Sequence, residues 1–367
     1  MESPKTKVVL LLGAGFSAPS DLLTTRKLSE KLLDTPVGSP GGGIEEFISA
    51  TIKKFWEKVF GWMPGMANPS LEDHFTQIDM ATKSGHNLGC DYDPTKLHAI
   101  RRLTIHRVLC WLKNPDSPFP ADCVDQVLRR LLQAFDVTII TTNWDTHVEW
   151  ILDAQCTDFN YGVEQIAADG RPVELVGNVS LLKLHGCVNM AYCDCCQQWT
   201  ILNYRLLHGS HQAVVKLKLL LNPVDFLLLG GDAGLADLLR NNPKHEVLSV
   251  CSACHARLGT RIATFTYRKD LQEYHAVWDA AKTSLQLADK WLFAGYSMPE
   301  ADVEVRHLLK STQLARREPA KLSIDVVLKE DCEAAKRYER FFGLPHGRIF
   351  QDGIGEWAAK RLDDYCR

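Results

Sequence analysis

The sequence feature that most limits the possible folds is an apolar run that stops at a glycine-rich turn near the N-terminus. Residues 7–12 read KVVLLL, as expected of a parallel strand that is buried on both faces. The turn reads GAGFSA at 13–18, and residues 24–33 have a pattern compatible with a helix. A strand, a glycine turn and a helix in this order favour a Rossmann-type dinucleotide site over a plain glycine turn.

The chemistry of phosphate binding explains why such a turn needs small residues. A pyrophosphate must approach backbone N–H groups at the N-terminus of a helix, where the helix dipole favours negative charge. We therefore predict that residues 13–18 grip the phosphates of a dinucleotide.

Four further apolar runs predict strands, and most of them end on polar residues or glycine. These strands are expected at residues 137–141, 180–184, 291–294 and 322–328. Asn143 and Asp145 follow the first of them, His185 follows the second, and Gly295 and Ser297 follow the third. In doubly wound sheets the carboxyl ends of the strands form the ligand-binding edge. The ligand site is therefore expected there.

Amphipathic segments between these strands complete the predicted architecture. Helices are expected at residues 45–61, 71–83, 96–113, 303–315 and 355–364. The sequence predicts an α/β fold, with a Rossmann-like parallel sheet that has helices on both faces, a helical insertion and a small zinc-ribbon module. The expected parts are a Rossmann core at 1–34, 126–186 and 266–367, a helical insertion at 35–125 and a zinc-binding insertion at 187–265.

Two CxxC pairs lie in the second expected insertion. Cys193 and Cys196 form the first pair, and Cys251 and Cys254 form the second. Each CxxC turn places two sulfur atoms on one side of a short loop, so four thiolates can close a tetrahedral, structural zinc site. A set of unrelated buried thiols is the alternative. Three further residues lie near enough along the chain to replace one ligand, namely Cys187, Cys195 and His255.

A histidine lies beside an amide and a carboxylate at the predicted ligand edge. An imidazole has an unperturbed pKa near neutrality, so His185 can act as a general base next to Asn143 and Asp145. A single histidine in such a place is more often a packing residue. The positions of these residues after two consecutive strands favour a catalytic role.

The segment Ala294–Asp302 (AGYSMPEAD) follows another predicted strand. Gly295 would allow a close backbone approach, and Ser297 would offer a hydroxyl group to a phosphate or a ribose. The alternative is an ordinary strand end and a helix N-cap, for which Ser297 or Asp302 is suited.

The composition is that of an ordinary globular protein and argues against some partners. The formal net charge is -3, from 42 Lys and Arg against 45 Asp and Glu, so we expect no direct sequence-specific nucleic-acid binding. The N-terminal apolar run is too short for a secretory signal or a membrane span, and we expect a cytoplasmic protein without a membrane anchor. The 12 cysteines are then expected as free thiols or metal ligands.

Taken in order, these motifs resemble those of the sirtuin family. They are GAGFS at 13–17, TTNWD at 141–145, KLHG at 183–186, the two CxxC pairs, and AGYS at 294–297. The resemblance spans most of the chain, although residues 35–125 and 205–245 contain no matching motif.

The resemblance implies that NAD is the ligand and assigns a place to each matching residue of the first motif. Gly13 opens the phosphate turn, and Ala14, Gly15 and Ser17 would contact the pyrophosphate. Arg26 matches the arginine that the family uses at the same site.

The other motifs would bind the remaining parts of NAD. Asn143 and Asp145 would border the nicotinamide and its ribose, with Thr142 beside them, and His185 would be the base. The four cysteines would hold a structural zinc ion. The residues implied at the adenosine half are Gly295, Ser297 and Leu328.

Several positions depart from the protein-deacylating sirtuins. Those enzymes carry GIPDFR after the turn, where this chain has DLLTTR at 21–26 and keeps only the arginine. Thr142 stands where the deacylases have glutamine. The sequence ATFTYRKD at 263–270 replaces a stretch that pairs with the acyl-lysine peptide as an added strand. The TTNWD and GYSMPEAD forms look more like divergent bacterial sirtuin-like proteins that destroy NAD during phage defence.

The resemblance therefore implies an NAD glycohydrolase that uses NAD as its substrate and acts as an NAD-depleting effector in bacterial anti-phage defence. A protein-lysine deacylase that uses NAD is the first alternative, and a non-catalytic module that senses NAD or ADP-ribose is the second. An unregulated NAD hydrolase would harm its own cell. We therefore expect control by homo-oligomerisation or by a regulatory partner protein, with the helical insertion as the surface for it.

Overall fold

The structure of the protein is a computed structural model. It describes residues 4–36, 43–112, 123–163, 165–166, 172–173, 177–201, 222–240, 250–256, 258–259, 262–267, 269, 271–318 and 321–367. The strands are β1 (Lys7–Leu12), β2 (Asp136–Thr141), β3 (Phe159–Asn160), β4 (Gln165–Ile166), β5 (Pro172–Val173), β6 (Val179–Lys183), β7 (Met190–Cys193), β8 (Gln198–Ile201), β9 (Lys290–Ala294), β10 (Ser323–Val327) and β11 (Ile349–Phe350). The helices are α1 (Ala14–Ser17), α2 (Thr25–Lys31), α3 (Ile44–Phe60), α4 (Leu71–Ser84), α5 (Pro94–Trp111), α6 (Cys123–Ala134), α7 (His147–Ala154), α8 (Pro223–Leu228), α9 (Ala233–Arg240), α10 (His275–Leu287), α11 (Val303–Leu314), α12 (Cys332–Phe342) and α13 (Gly353–Tyr365).

A parallel sheet forms the centre of the molecule. Within the described residues its strand order is β11-β10-β9-β1-β2-β6-β3, and each pairing is parallel. Helices α6 and α13 pack together on one face of the sheet, and α10 and α11 pack together on the other. Right-handed connections that run in opposite directions from β1 place their helices on opposite faces. The α/β fold class predicted from the sequence is confirmed.

The chain changes direction across the sheet at β1, and this change creates the ligand edge. It runs from β1 to β2 and β6 on one side, then returns to β9, β10 and β11 on the other. Leu12 is level with both Thr141 and Ala294, and Ala294 is level with Val327. The segments that follow these strands therefore leave the sheet at one edge, beside the point where ligands bind in open α/β sheets.

The predicted helices agree with the observed ones to within two residues at the ends that the structure describes. Residue 113, where the third of them was expected to end, lies outside the described residues. Helices α6, α8, α9, α10 and α12 were not predicted. The expected helix at 24–33 is the shorter α2, which begins at Thr25 and ends at Lys31.

Helices α3, α4 and α5, with the residues between them, form a helical block with its own hydrophobic cluster. Buried side chains from all three helices meet there, and Leu28 and Leu32 from the α2 region join them. Trp144, which follows β2, and Ile262, which follows the second CxxC pair, belong to the same cluster. The block is therefore packed directly against the segments that leave the sheet.

Buried charges fasten this helical block to the segment after α2. Arg107 on α5 is fully buried and donates to the Leu32 carbonyl oxygen at 3.1 Å and to Ser49 Oγ at 3.0 Å. Its guanidinium lies 3.0 Å from the Glu45 carboxylate, which also contacts His106 Nε2 at 3.2 Å. Burial opposes a charge on His106, but Cys110 and Glu45 outweigh it and raise the pKa of His106 to about 9. Each buried charge thus has a partner, as its desolvation requires.

Within the part of the chain that the structure describes, no helix combines the length and the apolar character needed to cross a membrane.

Candidate active site

A cavity of about 630 Å³ opens at the carboxyl edge of the sheet, within the size range of small-molecule sites. Its walls come from the segments after β1, β2, β6, β9 and β10, from α2 and from the helical block. Gly13 and Ser17 lie behind this wall. The predicted site residues that line the cavity are Ala14, Gly15, Arg26, Thr142, Asn143, Asp145, His185, Gly295, Ser297 and Leu328.

The glycines of the first motif allow two loops to pack against each other. Gly13 N donates to the Ala294 carbonyl oxygen at 3.2 Å, and Gly15 N donates to the Gly295 carbonyl oxygen at 2.9 Å. A Cβ atom on Gly13 would lie 2.5 Å from the Tyr296 Cα atom. The Gly15 N–H is thus bonded within the protein and holds the two loops together. Within this motif the chain forms a single helical turn, α1.

Gly295 is the most constrained glycine of this packing, and its replacement gives a direct prediction. Its φ is +64°, and a Cβ atom would lie 2.0 Å from Phe16 N. We expect Gly295→Ala to lower the free energy of unfolding by at least about 2 kcal/mol, because backbone strain and a backbone clash add. Gly343→Ala is the matched control, since its φ is +69° and its Cβ would meet nothing within 4 Å. Urea denaturation measures both, and an equal loss in the two variants would refute the clash.

Asn143 is held by the phosphate turn. Its Nδ2 donates to the Gly13 carbonyl oxygen at 3.1 Å and to Ser17 Oγ at 3.3 Å, and its backbone N donates to Thr141 Oγ1 at 3.0 Å. Both amide hydrogens are therefore used, and Oδ1 is the polar atom left for a ligand in the cavity. Gly13 and Ser17 thus act on the cavity through Asn143.

His185 presents a neutral imidazole to the cavity. The residue is 2% exposed, and no hydrogen-bond partner reaches its Nε2 among the described residues. Burial lowers the pKa of His185 to about 4; Asp302 opposes the shift and Lys269 adds to it. At neutral pH the ring is uncharged and can accept a proton.

Trp144 and Asp145 complete this end of the cavity. The ring of Trp144 stacks on Phe265 with 4.5 Å between centroids, and its Nε1 is buried without a partner in the described part of the chain. Asp145 Oδ1 accepts a hydrogen bond from His147 N at 3.0 Å, which fixes the carboxylate at the start of α7. Buried polar atoms are nearly always bonded. The unpartnered atoms of Trp144 and His185 on one cavity therefore indicate a ligand site.

A buried network behind the cavity holds the backbone of Trp144 and Asp145. Lys183 Nζ donates to the Asp145 carbonyl oxygen at 2.6 Å and lies 3.0 Å from Glu149 Oε1. Cys187 Sγ donates to the Trp144 carbonyl oxygen at 3.2 Å. Burial raises the pKa of Cys187 to about 12, so its thiol keeps its proton. Cys187 is therefore part of this network and is separate from the CxxC pairs.

The residues expected at the adenosine half lie on the other side of β1. The Ser297 carbonyl oxygen accepts from Arg337 Nε at 3.1 Å, and Leu328 N donates to the Phe350 carbonyl oxygen at 2.8 Å. Their backbones are thus fixed by neighbouring elements. Arg26 lies at the rim, where its side chain is 90% exposed and 3.4 Å from Glu30, an arrangement that contributes little to stability.

Asp302 and Glu72 line the cavity although neither was predicted as a site residue. Asp302 belongs to the AGYSMPEAD segment, but its carboxylate caps no helix; it lies 3.0 Å from Lys269 Nζ and accepts from the Tyr296 hydroxyl at 2.9 Å. Glu72, in the first turn of α4, also lines the cavity. The segment around Asp302 was a usable signal, whereas nothing in the sequence indicates that Glu72 faces the sheet.

The four cysteines of the CxxC pairs come together beside β7. Cys193 Sγ lies 3.5 Å from Cys254 Sγ, and Cys196 Sγ lies 3.9 Å from Cys251 Sγ. A tetrahedral zinc ion with Zn–S bonds of 2.3 Å separates its sulfur ligands by about 3.8 Å. The cluster therefore fits such an ion.

The two CxxC turns have the same backbone design. Gln197 N donates to the Cys193 carbonyl oxygen at 2.8 Å, and His255 N donates to the Cys251 carbonyl oxygen at 2.9 Å. Gln197 and His255 both have positive φ, which closes each turn around its two sulfurs. Cys195 and His255 are exposed and lie outside the four-thiol cluster.

We expect the purified protein to hold one zinc ion per chain at this cluster. Cys254→Ser should lose the metal and lower the melting temperature, because a structural ion stabilises only the folded site. Cys195→Ser, in the first CxxC turn, is the matched control and should keep both. Elemental analysis and thermal melting measure the outcome, and full zinc content in Cys254→Ser would contradict the assignment.

The chain is similar to solved sirtuin structures. No protein-family model and no curated protein matches it. A Sir2 homologue in complex with NAD is 15% identical, with 99% of this chain and 91% of that chain covered and a TM-score of 0.44. A mutant Sir2 homologue in complex with ADP-ribose is 16% identical, with 98% and 91% covered and a TM-score of 0.40. A sirtuin structure that addresses the structural basis of substrate affinity is 11% identical, with 98% of this chain and 94% of that chain covered and a TM-score of 0.43. Each of these proteins differs from this chain at more than eight positions in ten. The ligand in each structure is therefore evidence about the site of that protein and not about the site of this chain.

Proposed function

We propose that this protein is an NAD glycohydrolase, which cleaves the bond between nicotinamide and ribose to give nicotinamide and ADP-ribose. The observation that carries the proposal is the neutral imidazole of His185, whose Nε2 has no partner among the described residues, in one cavity with Asn143 and Asp145. In this assignment His185, Asn143 and Asp145 are the catalytic residues.

The reaction needs few strong groups because cationic nicotinamide is a good leaving group. The bond from C1′ of the ribose to the ring nitrogen breaks, and its electron pair leaves with neutral nicotinamide. The oxygen of a water molecule then bonds to C1′, and the released proton passes to His185. Asn143 Oδ1 orients the water, and the Asp145 carboxylate stabilises positive charge on the sugar. One water is consumed and one proton is released in each turnover.

We assign the phosphate and adenosine parts of NAD to the side of the cavity near β1 and β9. The turn at Ala14 and Gly15, with Arg26 at the rim, would contact the pyrophosphate. The residues assigned to the other parts of the dinucleotide are Thr142, Gly295, Ser297 and Leu328.

The segment after the second CxxC pair favours hydrolysis over transfer to a peptide. Thr264 Oγ1 donates to Asp79 Oδ2 at 2.6 Å, and Tyr267 N donates to Thr76 Oγ1 at 3.2 Å. Phe265 between them stacks on Trp144. Residues 262–267 are thus fastened to α4 and form no strand to which a peptide could add. Residues 268 and 270 lie outside the described residues.

Chromatography of NAD incubated with the purified protein tests the proposal. We expect nicotinamide and ADP-ribose to appear without any acylated peptide, and Asn143→Ala to abolish both while it leaves the circular dichroism spectrum unchanged. Release of nicotinamide only when an acetylated peptide is present would support a deacylase instead. Binding of NAD without products, also in the presence of cell extract, would support a sensor.

We further propose that this activity depletes cytoplasmic NAD during phage infection and is controlled by self-association or by a partner protein. Met63, Met66 and Met80 on the helical block are 63%, 52% and 44% exposed, and flexible methionines suit adaptable protein contacts. Light scattering and NAD assays with and without the protein encoded next to it test the control. Full activity as an isolated monomer would contradict it, and unchanged plaque counts on expressing cells would contradict the role in defence.

A further inference from the structure

The helical block sends one carboxylate into the cavity. Glu72 lies in the first turn of α4, whose N-terminus is fixed in two ways. Ser70 Oγ accepts from Asp73 N at 3.0 Å, and Leu71 N donates to Ser29 Oγ at 3.0 Å. Because Ser29 belongs to α2, which also lines the cavity, the position of Glu72 is set relative to the site.

Glu72 and His185 line the same cavity as Asp302, which is paired with Lys269. Lys269 and Asp302 act electrostatically on both residues. Lys269 is fully engaged, because its Nζ lies 3.0 Å from Asp302 Oδ1 and donates to the carbonyl oxygens of Thr266 and Ala301. Glu72 therefore lies at the end of the cavity that holds the assigned base.

No cation neutralises Glu72 within the described ranges. None of the ion pairs in these ranges includes Glu72, and the hydrogen bond that acts on its carboxylate comes from its own backbone. Burial raises the pKa of Glu72, and the nearby Asp302 and Asp73 add to the shift. Three cations, Arg26, Lys27 and Lys329, line the cavity on α2 and after β10. The cavity is thus lined by a carboxylate that has no ion pair within the described ranges and by three cations.

NAD likewise carries charges of both signs, on different parts of the molecule. Its nicotinamide ring carries the single fixed positive charge, and its pyrophosphate carries the negative charges. A partly buried carboxylate without a partner gains most from a cation, because the low dielectric around it strengthens the interaction.

We propose that Glu72 is a catalytic residue of this site, which faces the cationic nicotinamide and ribose part of NAD and selects the oxidised over the reduced cofactor. The inference rests on the proposed function. The positive charge moves from the ring nitrogen towards C1′ as the bond breaks, and Glu72 stabilises it during this transfer without exchanging a proton. NADH lacks this charge and leaves Glu72 unpaired. The helical block is then a part of the active site.

Glu72→Gln tests the proposal by activity and, separately, by binding. We expect kcat/KM for nicotinamide release to fall about a hundredfold. We also expect calorimetry to show that the preference of the wild type for NAD over NADH falls about tenfold in the variant. In the wild type, protonation of Glu72 should lower kcat/KM on the acid side of the pH profile, at a pH above the ordinary glutamate pKa of 4.5. This acid limb should disappear in Glu72→Gln, which leaves only the decline caused by protonation of His185 near pH 4.

Asp73→Asn is the matched control, because it removes one negative charge from the same helical turn at an exposed position. It should keep the wild-type preference and an acid limb governed by Glu72, moved slightly to lower pH because the raising effect of Asp73 is lost. Glu72→Asp should recover part of the preference and of the acid limb. Equal affinity of the wild type for NAD and NADH, no binding of either, or a wild-type preference in Glu72→Gln would overturn the role of Glu72. A wild type that discriminates between them but releases no nicotinamide would refute the hydrolase and retain Glu72 as the selecting residue.

Discussion

His185→Ala is expected to lower kcat/KM for nicotinamide release by about 10³-fold while NAD still binds. The removed imidazole would accept the proton from the attacking water, and general base catalysis contributes about 10²–10⁴-fold in rate. The fold should persist, because Nε2 makes no hydrogen bond among the described residues. His307→Ala, on the exposed side of α11, is the matched control. Initial rates by chromatography and affinities by calorimetry measure both, and wild-type turnover in His185→Ala would sink the assignment.

The pKa of His185 also fixes the direction of a pH effect. Because burial lowers this pKa from 6.5 to about 4, the unfolded chain binds a proton between these values and the folded chain does not. The free energy of unfolding therefore falls as the pH is lowered from 6.5 to 4. His185→Ala should make this decline shallower than in the wild type, as measured by urea denaturation across that window.

Lys183→Met is expected to lower the free energy of unfolding by about 3–5 kcal/mol, because it leaves the Glu149 carboxylate buried without its cation. Both side chains are at most 1% exposed. Nicotinamide release should fall as well, since the Asp145 carbonyl oxygen loses its donor. Lys360→Met, which removes a lysine from an exposed pair with Glu356, should cost about 0–1 kcal/mol.

The double variant Lys183→Met/Glu149→Gln separates the two effects. It contains no unpaired charge, so most of the lost stability should return. Activity should stay low, because the backbone of Asp145 still lacks the Lys183 donor. If stability and activity both returned, Lys183 would contribute to stability alone.

The sheet could be predicted because most of its strands are buried on both faces. Such strands read as continuous apolar runs, and five of them were predicted to within one residue at each end. β3 and β11 were missed because each is two residues long and has no run to detect. Helix α12 was missed as well, although Ala334, Ala335 and Tyr338 form a buried stripe on it.

The site was predictable where it follows the sheet and unpredictable where it depends on packing between distant segments. His185, Asn143 and Gly295 reach the cavity because strand register brings their ends together. The bonds from Asn143 to Gly13 and Ser17 span more than 100 residues of sequence and leave no local pattern. Glu72 has the same difficulty, since only the packing of α4 against α2 turns it towards the sheet.

Trp144 lines the cavity and also belongs to the hydrophobic cluster of the helical block. Ligand binding and local opening of the block are therefore coupled. A ligand that binds beside Trp144 must also stabilise the block against local opening, by RT ln(1 + [L]/Kd) when only the closed form binds. Amide hydrogen exchange in α4 and α5 should therefore slow as the nucleotide concentration rises. By the same linkage, a protein that pulls the block open would weaken nucleotide affinity without touching the cavity.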